Sequence, residues 1–425
     1  MPWKVSNAMD EKAKFVLEYS SGDFQMAELC RKYDITRQTG YKWVSRYGQD
    51  GLDGLKELSR APHHNPRAIN DELVKQILQV RSAHRTWGAR KILAWLARHR
   101  PGLELCALST VNQQLKHHGL VLDRVKRRRV TPCGNLTPNS DLVPNKVWCA
   151  DFKGWFLCGN GRKCTPLTIT DADTRFLLKL QSLHGSTDSR AVIAVFDSTF
   201  EEFGLPQYIR TDNGPPFASV GLGGLTELSV YWLELGIKLE RIAPGCPQQN
   251  GRHERMHKTL KAETASPAMS NLNLQQKRFN SWRQEYNFER PHEALGQRPP
   301  GEFYSRSQRP MPNCCVPWSY NDEIDEQRRV RPSRQFKWLG RDVSASPALI
   351  GRTLGLKRLG PGYWAVMFRD VFMGVLDEKR FEIIRPGKSM DRILRNLSGG
   401  TVAPASELAS LVPSPAPLSH LKPDP

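Results

Sequence analysis

The chain has 425 residues, room for about three domains at roughly 150 residues each, and its 62 Lys and Arg against 43 Asp and Glu leave a net charge of +19. Such a surplus favours a polyanionic partner, with nucleic acid ahead of an anionic membrane surface. Runs such as AVIAVF fall far short of the ~20 apolar residues a bilayer span needs, MPWKVSNAMDEKAK lacks a signal-peptide core, and nine cysteines form no C-x-x-C pair; the expectation is a cytoplasmic protein with reduced thiols, no membrane association and neither structural zinc nor a disulfide framework.

Residues 1–60 read as a helical DNA-binding domain. Phe15, Val16 and Tyr19, then Met26, Ala27, Leu29 and Cys30, recur at helical spacing. In KYDITRQTGYKW, Asp34 suits a tight turn and Thr36 a helix N-cap, so the following helix presents Arg37, Gln38, Thr39 and Lys42 outward. That is the layout of a helix-turn-helix, with an ordinary helical hairpin as the bland alternative. After a proline-bearing linker, 61–70, residues 71–130 form a second helical unit, helix-turn-helix or winged-helix-like. Its helices begin near Asp71, run through TWGARKILAWLARH, and span Ser109 to Gly119. It closes on RVKRRR, where Arg124, Lys126, Arg127, Arg128 and Arg129 are expected to meet DNA phosphate.

A connector, 131–144, leads to residues 145–305, where KVWCADFKGWF, RKCTPLTITDADT and FLLKLQSLH read as strands, DSRAVIAVFDSTFEEFG as a helix and QYIRTD as a strand. This order predicts an α/β domain with a mixed sheet. Asp151 lies in its first strand and Asp212 ends the fourth, running into NGPP. If those strands are neighbours, both carboxylates project from one sheet edge. The segment APGCPQQNGRHERMHKTLKAE supplies a helix with Asn250 as cap and Glu254 in its first turn, where the helix dipole favours an anion. Lys258 and Lys261 follow at +4 and +7, on the same face. Three oxygen donors without sulfur or imidazole suit Mg²⁺, with Mn²⁺ as a substitute. Two such ions support in-line phosphodiester displacement. Asp171 and Asp173 are the competing acids, better suited to shaping a turn. His253 and His257 are expected to line the helix or touch DNA, and His292 to pack. After a linker, 306–330, residues 331–388 alternate apolar and polar around glycines and predict a small antiparallel β-barrel; a disordered tail, 389–425, ends the chain.

WCADF, RTDNGPPF, PQQNGRHER with its trailing lysines, and YNFERPHEALGQRPP together resemble the catalytic core of insertion-sequence transposases in the retroviral-integrase, or DDE, superfamily. The resemblance covers about 145–305. It implies an RNase H-like core whose metal-binding catalytic triad is Asp151, Asp212 and Glu254. It also implies a DNA transposase that binds the terminal inverted repeats of its element, frees 3′ hydroxyls by metal-dependent cleavage, and transfers those strands into target DNA as a dimer or higher multimer. A catalytically inactive DNA-binding regulator derived from such an enzyme is the alternative. Forty-one residues separate Asp212 from Glu254, more than the family often has, and GLGGL at 221–225 reads as the inserted loop.

Overall fold

In a computed structural model of the chain, the structure describes residues 8–57, 69–121, 143–184, 188–242, 251–313, 318–387, 390 and 392–393. The basic run Arg124, Lys126, Arg127, Arg128 and Arg129, the expected cap Asn250 and the tail from 394 lie outside the described residues. The chain divides into two compact units, residues 1–68 and 69–425.

In the first unit, α1 (Ala8–Ser20), α2 (Met26–Lys32) and α3 (Arg37–Asp50) enclose Phe15, Val16, Leu29, Cys30, Trp43 and Leu55. Between α2 and α3 Asp34 takes a left-handed φ of 48°, and Thr36 Oγ1 accepts from the Thr39 amide at 3.3 Å. This is the turn and cap that the local chemistry calls for. Gly40 lets α3 lie close to α2, since a Cβ there would sit 2.8 Å from Met26 Sδ.

The second unit begins with α4 (Asp71–Ala83), α5 (Ala89–His99) and α6 (Leu108–His117) around Ile77, Trp87, Ile92, Leu96 and Val111. Asn70 caps α4 by accepting from the Glu72 amide at 2.8 Å. The α/β domain follows: β1 (Val147–Phe152), β2 (Phe156–Leu157), β3 (Lys163–Asp171), β4 (Leu177–His184), α7 (Ser189–Phe203), β5 (Tyr208–Thr211), α8 (Glu227–Glu234) and β6 (Lys238–Arg241), then α9 (Gly251–Thr264) and α10 (Leu272–Gln284). The sheet runs β2-β3-β1-β5-β6 with β4 also on β3. It is mixed: β1 is antiparallel to β3 and parallel to β5, and β5 is parallel to β6.

Alternation along β1 sorts its side chains to two faces. Trp148 and Ala150 enter the large core with Phe196 and Phe200 of α7 and Trp232 of α8. Cys149 and Asp151 therefore face the other side. Over that side α9 and α10 lay Met256, Leu260, Phe279 and Trp282, against Leu177 and Leu180 of β4.

The C-terminal segment corrects the expected barrel. Its strands β7 (Glu326–Arg329), β10 (Thr353–Gly360), β11 (Tyr363–Phe368), β12 (Val371–Asp377) and β13 (Glu382–Ile384) form an open sheet ordered β13-β12-β11-β10-β7, while β8 (Gln335–Trp338) and β9 (Arg341–Ser344) pair separately. The physical reason lies in the neighbouring domain. Leu222 and Leu225, from the GLGGL loop, join Val230 and Leu233 of α8 in one apolar cluster with Phe336, Leu354, Val366 and Met373. Apolar surface that a closed barrel would bury against itself is covered by the core instead. Arg352 reinforces the contact through a bidentate pair with Glu234, at 3.0 and 3.1 Å.

Candidate active site

The β1–β5 register pairs Val147 with Tyr208, Trp148 with Ile209 and Cys149 with Arg210. The two strands run parallel to the same end of the sheet, where Asp151 lies in β1 and Asp212 one residue past β5, near enough for the Asp212 charge to raise the Asp151 carboxyl. Past β5 the chain turns sharply. The Gly214 amide donates to Asp212 Oδ1 at 3.2 Å, and Asn213 Nδ2 donates to the Ile242 carbonyl at 2.9 Å. Gly214 leaves room for the carboxylate: a Cβ would stand 3.2 Å from Asp212 Oδ2. Phe217 anchors the turn by packing on Phe152, with ring centroids 5.4 Å apart. Asp212 itself is exposed.

Asp151 is only 19% exposed. Burial, then the charge of Asp212 and, more weakly, that of Glu254, push its carboxyl up to about 7. Lys153 acts in the opposite direction. Glu254 is exposed in the first turn of α9, with Lys258 and Lys261 exposed on the same helix, while His253, Met256, His257 and Leu260 are buried on the other side. The structure thus brings Asp151 and Asp212 together, with Glu254 within electrostatic range. Among the described residues no three His, Cys, Asp or Glu side chains are gathered closely enough to form a ready-made metal cage.

Behind Asp151 lies a polar network that sequence reasoning missed. Thr168 Oγ1 lies 3.0 Å from the Asp151 carbonyl, 2.6 Å from His253 Nε2 and 2.7 Å from His257 Nε2. A hydroxyl has one proton and two lone pairs. All three contacts are satisfied when Thr168 donates to the carbonyl and both imidazoles donate from Nε2. His257 Nδ1 then turns a lone pair toward Asp151 Oδ2, 3.8 Å away. Burial holds His253 down to about 3 and His257 to about 2. Both histidines are interior groups that seat α9 on β3, so contact with DNA is not their role. The available signal was their i,i+4 spacing on the helix that carries Glu254, opposite alternating Thr168 and Thr170.

Asp171 is buried. It accepts from the Asn145 amide and from the amide and hydroxyl of Thr174, at 2.7–2.8 Å, so it shapes the β3–β4 turn. On α3, Arg37, Gln38 and Lys42 are exposed, whereas Thr39 is half-buried and its Oγ1 lies 2.9 Å from Thr36 Oγ1, within the cap. Tyr41, 56% exposed between them, was not singled out from the sequence.

Family models for an integrase core domain match residues 142–247 and 235–300, a helix-turn-helix domain matches 11–63 and a homeodomain-like domain 39–115. The chain is 26% identical over 256 residues to the 39.2 kDa protein of insertion element IS476 from Xanthomonas euvesicatoria, covering 60% of this chain and 70% of that one. It is 27% identical over 237 residues to the transposase InsD of insertion element IS2 from Escherichia coli, covering 51% and 73%. The integrase-core matches and the insertion-element relatives support an insertion-sequence transposase of the integrase superfamily. The chain carries N-terminal helix-turn-helix domains and an integrase core built on the mixed sheet. Among solved structures it is similar to the HTLV-2 integrase catalytic core domain, at 19% identity and a TM-score of 0.30, over 39% of this chain and 99% of that one. No helix among the transposase's described residues is long and apolar enough to cross a membrane.

Proposed function

We propose that this DNA transposase cuts at the ends of its element and joins the freed 3′ hydroxyls to target DNA at a site made of Asp151, Asp212 and Glu254. The observation that carries the reading is the convergence of Asp151 on β1 with Asp212 just past β5, where the Asp212 charge, after burial, pushes the Asp151 carboxyl up. Such a site accepts a hard divalent cation: the donors are carboxylates, and the Asp151 carboxyl is pushed up first by burial and then by the Asp212 charge, both of which a cation would offset. Asp151, Asp212 and Glu254 would hold Mg²⁺, two ions, with Mn²⁺ as a substitute. Once bound, the ions supply Lewis acidity to the attacking and leaving oxygens of a phosphodiester.

The chain's own residues do the rest. Thr168 holds the Asp151 backbone carbonyl and, through His253 and His257, seats the helix that carries Glu254 beside it, the Asn213–Gly214 turn orients Asp212, and Lys258 and Lys261 meet the phosphates of the strand arriving at Glu254. Arg37, Gln38 and Lys42 read the terminal inverted repeats. Joining two ends requires a dimer or higher multimer, acting in the cytoplasm of a bacterial cell.

Asp212→Asn tests the site. Supplied with Mg²⁺ and duplex carrying the element ends, the variant should lose cleavage and joining by at least about 100-fold while binding the ends as before. Cleavage at the wild-type rate would remove Asp212 from the chemistry.

A further inference from the structure

Beside the carboxylates lies a cavity of about 100 Å³ walled by Lys91 of α5, Arg175, Arg210 of β5, Arg255 of α9, and Arg290 and His292 of the RPH segment. Cys149 and Arg210, partners in the β1–β5 register, line it, Cys149 two residues before Asp151 on β1 and Arg210 two residues before Asp212, which follows β5. Two residues along a strand keep the same face and span about 7 Å, a nucleotide step or two of backbone. We infer that this cavity is a binding site for a tetrahedral oxyanion, occupied in the working complex by a backbone phosphate of the DNA strand next to the one at the carboxylates.

Charge and unmet hydrogen bonding support the assignment. Five cations face one acid of the wall, Asp171, and Asp171 already accepts from the Asn145 amide and from Thr174. Arg210 pairs with Glu240 and Arg290 with Glu263, and Lys91 feels Glu263, Glu285 and Glu293 without forming an ion pair among the described residues, so the wall itself keeps its positive surplus. His292 is 8% exposed, and its Nε2 is buried without a hydrogen-bond partner. Arg210 Nη2 is likewise without an aligned acceptor, although Glu240 Oε1 lies 2.7 Å away. Buried polar atoms of this kind are rare unless a ligand or water meets them. Burial, with Arg290 next, holds the Lys91 ammonium down to about 8, and burial with Lys91 and Arg290 holds His292 to about 3. An oxyanion would relieve both. Arg255 is exposed, so it can guide a phosphate into the mouth.

The test compares thermal unfolding of the full-length protein, free of divalent metal, in sodium phosphate and in sodium chloride of equal ionic strength. Phosphate should raise the wild-type Tm by roughly 2–4 °C over chloride. Lys91→Met, which keeps the aliphatic stem, and Arg255→Ala, an exposed position with little bearing on folding, should each lose at least about half of that gain. Equal Tm values in the two salts, or a gain untouched in both variants, would overturn the site. This arm uses neither metal nor cleavage, so it stands or fails apart from the carboxylate reading, on which the DNA arm rests. For that arm, duplex binding is measured across salt concentrations. A slope lower by about one in Lys91→Met assigns the occupant to DNA. A wild-type slope with the phosphate effect lost overturns the DNA assignment and leaves free phosphate as the occupant.

Discussion

A half-buried aspartate near the end of β1, with a second carboxylate just past β5 and a third on α9 in electrostatic range, is costly as an anion. The direction of its shift gives a sign. In the folded protein Asp151 holds its proton up to about 7, against 3.8 for an ordinary aspartate, so its contribution to stability is present below about pH 4 and is lost as pH rises through 7. His253, His257 and His292 work the other way: with folded values far below 6.5, each costs stability as pH falls below that value. Subtracting the wild-type profile from that of Asp151→Asn isolates the carboxyl. In the absence of metal the variant should be more stable at pH 8, by about 1–3 kcal/mol, with the difference vanishing near pH 4. Added Mg²⁺ should raise the wild-type Tm at pH 8 and leave the variant unmoved. A variant destabilised at pH 8 would mean that Asp151 is favourably paired, contrary to its shift. The residue identities at this site were legible in the sequence, because acids at a strand end and at a helix start declare themselves locally. The Thr168 network was not, since it requires β3 and α9 to be in contact.

At the scale of elements, α9, the helix that carries Glu254, is held at both ends. Near its start His253 and His257 seat it on β3. In its last turn Glu263 accepts from Arg290 Nη1 at 3.0 and 2.9 Å and from Trp282 Nε1 at 2.6 Å, and it also meets the Thr86 hydroxyl before α5. Arg290 is 5% exposed in this pair and Glu263 15%. Removing one partner of such a pair leaves a buried charge behind, so Glu263→Ala should cost about 3–5 kcal/mol in urea unfolding, and Glu263→Gln less. A loss under 1 kcal/mol in Glu263→Ala would show that the clamp contributes little. The helix starts after Thr36 and at Asp71 were readable because a cap depends on a few adjacent residues. The C-terminal strands were readable as strands, yet their closure was not. Alternation marks an apolar face without saying what covers it, and here Leu222, Leu225 and α8 cover it.

For the whole molecule, the division at residues 68 and 69 separates one helix-turn-helix unit from everything else. The second helical unit joins the core through His84 on Glu285, 2.9 Å, and through Arg98 on Glu302. Removing residues 1–57 should therefore leave the remainder folded and its general affinity for DNA largely intact, because most of the positive charge stays. Recognition of element ends should fall by about ten-fold or more in competition against random duplex. Undiminished preference for the ends would place end recognition in the second unit. By itself the sequence determined the polyanionic partner, the helix-turn-helix, the α/β order of the core and the acids worth testing, because charge, capping, turn chemistry and periodicity act over a few residues. Only the tertiary structure decided that Asp151 and Asp212 come within electrostatic reach of each other, that two histidines are buried behind Asp151, that cations from α5, α9 and the sheet share one cavity, and that the C-terminal sheet stays open. Those outcomes depend on register and packing between segments up to two hundred residues apart, where the deciding term is the surface each element finds to bury.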